Sequence, residues 1–192
     1  MCGRLNVTDD PLCRWVSEEL GLEFAVPDNQ DLRPTQAVGT IAQRESGLAQ
    51  VDTHWGIKPD WAKRIIINAT VERVATAWTF KSAFTHSRCV VPCTGFYEWK
   101  RIDTQSTRKQ KYLFSRVDGR PLYMAGLLLG VESTHLVTLT MPAPDRFADI
   151  HDRFPLFVEP HQVGQWVSGT PEAAGALMGV KDREDIVPSP SA

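Results

Sequence analysis

The chain has 192 residues, 42% of them hydrophobic, and its net charge of −2 argues against a uniformly basic nucleic-acid-binding protein. Its length suits one domain with a core of ordinary size, its longest apolar run is too short to cross a bilayer, and no secretory signal pattern opens it. The four cysteines lack C-x-x-C spacing, so we expect a cytoplasmic protein rather than a secreted, disulfide-bonded one or one with a membrane partner.

The chain begins with Met1–Arg4, and the small residue at position 2 suits removal of the initiator Met. Cys2 would then carry an α-amine and a thiol on adjacent carbons. Amines add to aldehydes to form Schiff bases, and a thiol two carbons away closes the imine to a five-membered thiazolidine. With reference pKa values of about 8 and about 8.5, both groups are partly reactive near neutral pH. Alternatively, Cys2 has no chemical role and lies on a frayed terminus.

The first elements are a helix and two strands. Capping residues from Thr8 onward precede apolar residues at helical spacing, and this pattern predicts a helix that ends at Gly21. Residues 24–34, rich in Pro, Asp and Asn, predict a loop. Two strands are then predicted over Ala37–Gln43 and Gly47–Trp55, joined by a turn.

Residues 54–116 form the basic part of the chain, with twelve Lys or Arg against four acidic residues, and both flanking segments are acidic. Because a phosphate backbone is bound by a local density of cations, this asymmetry predicts one basic face. Aromatic residues are interleaved with the cations, and most are expected in the core. Trp61, in an irregular loop after a Pro, is the best candidate for an exposed ring that stacks on a base.

The rest of the chain predicts more strand than helix. Ile65–Ile67 is a short apolar strand that leads to Asn68, and the spacing over residues 71–84 predicts a helix. Further strands are predicted at residues 89–93, 96–100, 111–117, 122–129 and 135–141, the last three in one sheet, with a polar hairpin loop at 101–111 and short helices after 145 and near 161–167 and 172–178. We therefore predict an α+β fold in one domain over residues 1–180, and a disordered, Pro- and Ser-rich tail over 181–192.

Three polar residues lie where they could carry chemistry. Glu98, in an apolar strand, either faces solvent or points into a pocket where its pKa would be raised for proton exchange. His151 is either a surface side chain or a proton shuttle, and Asn68 either caps a helix or orients a ligand. Cys89 and Cys93 resemble half of a metal site, but no second ligand pair completes it, so we predict core cysteines and neither a metal nor a cofactor.

Six short blocks stand out when the sequence is taken as a whole. They are Met1–Arg4, Arg33–Gln36, Trp55-Gly56 with Pro59 and Trp61, Ile67–Ala69 with Glu72, Arg88-Cys89 followed by Gly95–Trp99, and Asp149–Pro155. In identity and order these blocks resemble the signature of the SOS response associated peptidase (SRAP) family, the abasic-site shielding proteins of bacteria and eukaryotes. The resemblance spans residues 1 to 167. It implies a curved, mainly antiparallel β-sheet or open barrel with flanking helices, in a monomer.

The resemblance implies a partner and a mechanism. The partner is single-stranded DNA with an abasic site, including sites at junctions with duplex DNA. The Cys2 amine would attack the aldehyde, and the thiol would close a thiazolidine that shields the lesion during the SOS response to DNA damage. Glu98 would move protons, His151 would assist sugar-ring opening and reversal, and Asn68 would hold the amine or the sugar. Weak strand cleavage, an abasic-site lyase activity, would be a side reaction.

The resemblance also implies a set of DNA contacts. These are Arg4, Arg33, Trp55, Lys58, Pro59, Trp61, Thr70, Arg73, Lys81 and Arg88. Thr70 stands where the family usually has Arg, and Asp31 where Asn is common. Two other functions use the same residues: a peptidase or amidohydrolase with Cys2 as nucleophile, which at minimum releases Met1, and a non-covalent single-strand binder.

Overall fold

A computed structural model describes residues 2–102, 108–130, 134–179 and 182–191 of the protein. The described strands, numbered in chain order, are β1 Leu5–Val7, β2 Asn29–Leu32, β3 Ala37–Arg44, β4 Gly47–Trp55, β5 Asn68–Thr70, β6 Arg88–Cys93, β7 Gly95–Arg101, β8 Lys109–Arg116, β9 Leu122–Leu129, β10 His135–Pro142, β11 Arg153–Pro155, β12 Phe157–Val158 and β13 Ile186–Ser191. The helices are α1 Asp9–Leu20, α2 Lys81–His86, α3 Asp145–Ala148, α4 Val163–Ser168 and α5 Pro171–Gly175. This mixture of many strands and short helices confirms the α+β prediction.

The first helix ends where the sequence predicts. Gly21 follows α1 with φ of 66°, a left-handed conformation that costs glycine little, and its N–H donates to the Ser17 carbonyl oxygen at 2.9 Å. Leu12 and Val16, one helical turn apart, are the buried residues of α1. None of the helices in the described ranges is both long and apolar enough to cross a bilayer.

The larger sheet is curved and closes on itself. Strands β10, β4, β3, β6 and β9 are neighbours in that order, and β9 also pairs with β10. The contacts of β10 with β4 and β5 are parallel, whereas β3–β4, β3–β6, β6–β9 and β9–β10 are antiparallel. The prediction of a curved, mainly antiparallel sheet is therefore confirmed.

The smaller sheet has the strand order β13-β8-β7-β1-β2. The prediction that residues 111–117 share one sheet with residues 122–129 and 135–141 is therefore wrong, since β8 lies in the smaller sheet and β9 and β10 in the larger one. Apolar runs identify strands, but they do not specify which strand each one pairs with.

An aromatic cluster packs against the inner face of the smaller sheet. The Phe96 and Phe114 rings stack with centroids 4.8 Å apart, and Phe154 meets Phe96 edge-on at 5.2 Å. Phe96 and Glu98 are two residues apart on β7, so their side chains leave the strand on the same face. The sheet that buries Phe96 therefore also turns Glu98 inward, where only 3% of the residue is exposed.

Several predicted segments differ in the structure. Asn29–Leu32, within the predicted loop over 24–34, form β2, and the predicted strand Ile65–Ile67 contributes only an isolated bridge between Ile66 and Ile57. Only Lys81–His86 of the predicted helix over 71–84 is helical, and the residues before it form turns, such as the bond from the Arg73 N–H to the Thr70 carbonyl oxygen at 3.1 Å. The predicted disordered tail instead supplies β13, which pairs with β8 and buries Ile186 completely. Prolines at 188 and 190 are tolerated because β13 is an edge strand. The predicted hairpin loop at 101–111 falls partly outside the described residues.

Candidate active site

Cys2 lies beside β7 because β1 pairs antiparallel with that strand. The Tyr97 N–H donates to the Arg4 carbonyl oxygen at 2.9 Å, so the residues before β1 run toward the part of β7 that carries Glu98. Cys2 is 1% exposed and packs in the hydrophobic core. The structure therefore contradicts the alternative in which Cys2 lies on a frayed terminus.

Asn68 and Thr138 hold the backbone of Cys2. Asn68 opens β5 and lies opposite Thr138 in β10. The Asn68 Nδ2 donates to the Cys2 carbonyl oxygen at 2.8 Å, and the Thr138 hydroxyl donates to the Asn68 Oδ1 at 2.5 Å. The second bond fixes which end of the amide faces Cys2. Sequence reasoning missed Thr138, whose one signal is a polar residue within an apolar strand.

His151 faces Glu98 from the other side of the site. It lies between α3 and β11, where its N–H donates to the Phe147 carbonyl oxygen at 3.2 Å. The His151 Nδ1 accepts the Arg153 backbone N–H at 2.9 Å, and the Nε2 lies 3.8 Å from the Glu98 Oε2. The Asp152 Oδ1 lies 3.0 Å from the same Nδ1, so the imidazole has a carboxyl group beside each of its two ring nitrogens.

Burial shifts the pKa values of Glu98, His151 and the Cys2 thiol. It raises the pKa of Glu98 to about 7 and lowers the pKa of His151, so the imidazole is neutral while the carboxyl is poised between its two forms at neutral pH. Burial and the nearby Glu98 carboxylate raise the pKa of the Cys2 thiol well above its usual value. The thiol is therefore protonated near pH 7, and Glu98 is the group best placed to exchange protons beside it.

Arg153 ties the His151 segment to the start of the turns after β5. Its guanidinium pairs with both carboxylate oxygens of Glu72, at 2.7 and 3.0 Å, and donates to the Thr140 carbonyl oxygen at 2.6 Å. The hydrogen bonds from Arg153 hold the pKa of Glu72 down at about 2. This bidentate pair was not predicted, although both residues belong to the blocks recognised in the sequence.

The structure sorts the ten predicted DNA contacts into four groups: exposed, half-buried, paired with Asp31, and buried in the core. Lys58, Trp61, Arg73 and Lys81 are exposed, whereas Pro59 and Thr70 are half-buried. Arg4 and Arg33 both bind Asp31, whose carboxylate lies between them, and Arg4 also covers the Trp99 ring at 5.5 Å. The hydrogen bonds from these two arginines lower the pKa of Asp31, so it is ionised at neutral pH.

Two of the predicted DNA contacts are wrong. Trp55 is completely buried, and its indole N–H donates to the Ile67 carbonyl oxygen at 3.1 Å, so its ring faces no ligand. Arg88 is 3% exposed. Its guanidinium donates to the backbone carbonyl oxygens of Phe84, Thr85, Trp166 and Gly169. Trp55 and Arg88 are core residues whose polar groups donate to backbone carbonyls. A sequence pattern does not distinguish such residues from tryptophans and arginines on the surface.

Within the described ranges, no group of three or more His, Cys, Asp and Glu side chains is arranged to hold a metal ion. Cys89 and Cys93 are buried in β6, where burial raises the pKa of the Cys93 thiol to about 12. The chemistry that the site residues themselves offer is proton transfer by a carboxyl group and a neutral imidazole, next to a thiol whose backbone is fixed by an amide.

Comparison with known proteins places this geometry in a family. The chain is 30% identical to the abasic site processing protein YedK of Escherichia coli over 87% of this chain and 79% of that protein, and 25% identical to YoqW of Bacillus subtilis over 97% and 90%. A phage-related protein of Bordetella bronchiseptica shares the fold, with a TM-score of 0.84 at 24% identity over 99% of this chain and 94% of that one. The model of the SOS response associated peptidase family matches residues 1–187. The chain therefore belongs to the SOS response associated peptidase (SRAP) family.

Proposed function

We propose that this protein processes abasic sites by capturing them covalently in single-stranded DNA through Cys2, after Met1 has been removed. The relatives in E. coli, B. subtilis and Saccharomyces cerevisiae are named abasic site processing proteins. The observation that carries the proposal is the 2.8 Å hydrogen bond from Asn68 to Cys2, in a site where Glu98 and His151 also meet. An amide on the Cys2 carbonyl holds the residue that would present both amine and thiol to an aldehyde.

The protonation states favour one order of steps. Because the Cys2 thiol has a raised pKa, it is a weak nucleophile, and the α-amine attacks the aldehyde carbon of the opened sugar first. Loss of water gives an imine. The sulfur then adds to the imine carbon while its proton passes to the nitrogen, closing the thiazolidine with one water lost overall. Glu98, with a pKa of about 7, accepts the amine proton and returns it to the leaving hydroxyl.

A crosslinking assay tests the proposal. A labelled single strand with one abasic site is mixed with the protein, heated in denaturant and separated by size, and the amino terminus is checked by intact mass spectrometry. We expect a heat-stable adduct with the mass of the Met1-free chain plus DNA minus one water. Retention of Met1 together with absence of the adduct would refute the proposal.

Cys2→Ser is the informative variant. It keeps the α-amine but loses the thiol, so we expect an imine that survives heating only after borohydride reduction, and slow strand cleavage by β-elimination. A heat-stable adduct with Cys2→Ser in the absence of borohydride would show that the thiol is not part of the link. Peptide cleavage without any DNA adduct would instead support the hydrolase alternative.

A further inference from the structure

Trp61 and Trp78 form an exposed pair of rings on the surface. Their exposed fractions are 56% and 71%, and the ring centroids lie 5.7 Å apart with the planes inclined at 53°. Large aromatic side chains gain most from burial, so two exposed rings in contact with each other mark a surface that binds something. Trp61 lies in the loop predicted to be exposed, but Trp78 was not among the predicted contacts.

Both rings are mounted on hydrogen-bonded turns. The Ala62 N–H donates to the Pro59 carbonyl oxygen at 2.8 Å beside Trp61, and the Ala77 N–H donates to the Arg73 carbonyl oxygen at 2.8 Å beside Trp78. Rings on fixed turns lose little conformational entropy when a ligand binds. The pair is therefore organised before a ligand arrives.

The charge around the pair fits a polyanion. Five exposed cations lie on the same two segments as the rings: Lys58, Lys63, Arg64, Arg73 and Lys81. Across the described residues, no ion pair engages any of the five. Two acidic residues lie on these segments, residues 57–66 and 71–81: Glu72 is neutralised by Arg153, and Asp60 is exposed. Exposed rings among unpaired cations are the combination that binds single strands.

The loop that carries Trp61 is connected directly to the reactive site. Its ends pair at Ile57 and Ile66, whose backbone groups exchange hydrogen bonds of 3.0 and 2.8 Å. The chain continues through Ile67 to Asn68, whose amide binds Cys2. A DNA strand bound at the rings and its abasic sugar bound at Cys2 would thus contact one continuous segment of the chain.

We propose that Trp78, supported by Trp61, stacks on one unpaired base of the single strand whose abasic sugar reacts at Cys2. This inference rests on the proposed function and adds a base-binding position to it. A base does not fit between rings whose centroids are 5.7 Å apart, since a sandwiched base needs about 7 Å between the flanking planes. The base stacks on the outward face of Trp78, and Trp61 keeps that ring in place.

The test removes the stacked base from the DNA and the Trp78 ring from the protein in separate experiments. Short single strands carry an unreactive tetrahydrofuran abasic analogue at the centre, and a second analogue is moved through the neighbouring positions. Binding to the protein is measured by fluorescence anisotropy, so the result does not depend on crosslinking. For the unaltered protein we expect affinity to fall about 5- to 150-fold when the second analogue occupies one particular position.

With Trp78→Ala, affinity for the strand that carries only the central analogue should fall by the same factor. The further loss caused by the second analogue at that position should disappear, because the base there has no ring to stack on. Trp78→Phe should restore most of the affinity, and Val117→Ala, which alters a side chain 64% exposed elsewhere, should change nothing. A position-dependent loss that is equally large in Trp78→Ala, or no such loss in the unaltered protein, would overturn the inference. An unchanged strand affinity accompanied by altered self-association would assign the rings to a second copy of the chain.

Crosslinking separates the two proposals. If Trp78 acts only by stacking, Trp78→Ala raises the protein concentration needed for half-maximal crosslinking and leaves the maximal rate at saturation unchanged. A lower maximal rate with an unchanged half-maximal concentration would contradict the stacking role. Failure of the unaltered protein to crosslink would refute the proposed function, while the anisotropy experiment would still report on the rings.

Discussion

The Asn68 side chain donates its amide N–H to the Cys2 carbonyl oxygen at 2.8 Å, although the two residues are 66 positions apart in the chain. The donor is correctly oriented because Thr138 donates to the other end of the same amide. Thr138 is completely buried in β10, so its rotamer is held by the packing of the barrel. Residues of the larger sheet thereby fix the position of Cys2, which immediately precedes the smaller sheet in the chain.

Thr138→Val should slow crosslinking without unfolding the protein. Valine has nearly the shape of threonine but cannot donate, so the Asn68 amide loses the hydrogen bond that fixes its orientation toward the Cys2 carbonyl oxygen. Loss of one hydrogen bond of about 1 kcal/mol predicts a maximal rate about fivefold to tenfold lower. Single-turnover crosslinking at saturating DNA measures this rate.

Thr138→Ser is the matched control, because it keeps the hydroxyl and loses only a methyl group. We expect it to retain most of the rate. Equal slowing by Val and Ser, in parallel with a lower melting temperature, would show that Thr138 contributes only to packing. Asn68→Ala should be at least as slow as Thr138→Val, since it removes the donor itself.

Glu98 predicts a pH dependence of crosslinking. Its raised pKa of about 7 means that the carboxylate, which accepts the amine proton, becomes available as the pH rises through 7. The rate should therefore rise through an inflection near pH 7. Glu98→Gln, of the same size, should remove this inflection and slow the reaction at pH 8 by about 10²- to 10⁴-fold. An identical profile for the variant would exclude Glu98 as the proton acceptor.

The same shift predicts a cost in stability. The pKa of Glu98 is raised from its usual 4.5 to about 7, so the folded state binds the proton more tightly than the unfolded state does. Its contribution is fully favourable below pH 4.5 and is lost as the pH rises through 7, by about 3 kcal/mol in all. Glu98→Gln should therefore raise the denaturation midpoint more at pH 8 than at pH 5. A stabilisation that is the same at both pH values would contradict this sign.

Much of the fold could be predicted because its signals are local. Gly21 ends α1, and the two strands predicted over Ala37–Gln43 and Gly47–Trp55, joined by a turn, form a hairpin in the structure. Pairing between distant strands leaves no such signal. The placement of β8 in the smaller sheet and the pairing of residues 186–191 with it depend on which strand edges the other strands leave unpaired.

The residues of the candidate site likewise divide into those that the local sequence indicates and those that depend on strand pairing. Cys2 and Glu98 could be proposed from chemistry, since a 1,2-aminothiol and a carboxylate in an apolar strand are unusual in themselves. Thr138 could not, because its role exists only once β5 lies against β10. Arg88 illustrates the opposite error: the family resemblance implies a DNA contact for this cation, but four backbone carbonyls take up its donors in the core.

The strand at the end of the described chain should matter for stability. Ile186 is completely buried and pairs with Arg116 of β8. Ile186→Ala should lower the free energy of unfolding by about 2–5 kcal/mol through lost burial and the cavity left behind. Ser189→Ala, at an exposed position of the same strand, is the control and should change it by less than about 0.5 kcal/mol. Chemical denaturation measures both, and equal effects would show that β13 is not docked in solution.

Asp31→Asn should strengthen binding to single-stranded DNA. The Asp31 carboxylate neutralises Arg4 and Arg33, so its removal frees two cations for phosphate and should steepen the salt dependence of binding by up to about 1.4 in log–log slope. Asp118→Asn is the matched control, because Asp118 is also 42% exposed, also pairs with an arginine and removes the same net charge. Affinity measured at several salt concentrations should rise severalfold for Asp31→Asn and much less for the control. Equal gains would mean that only net charge matters and that the two arginines do not reach the DNA.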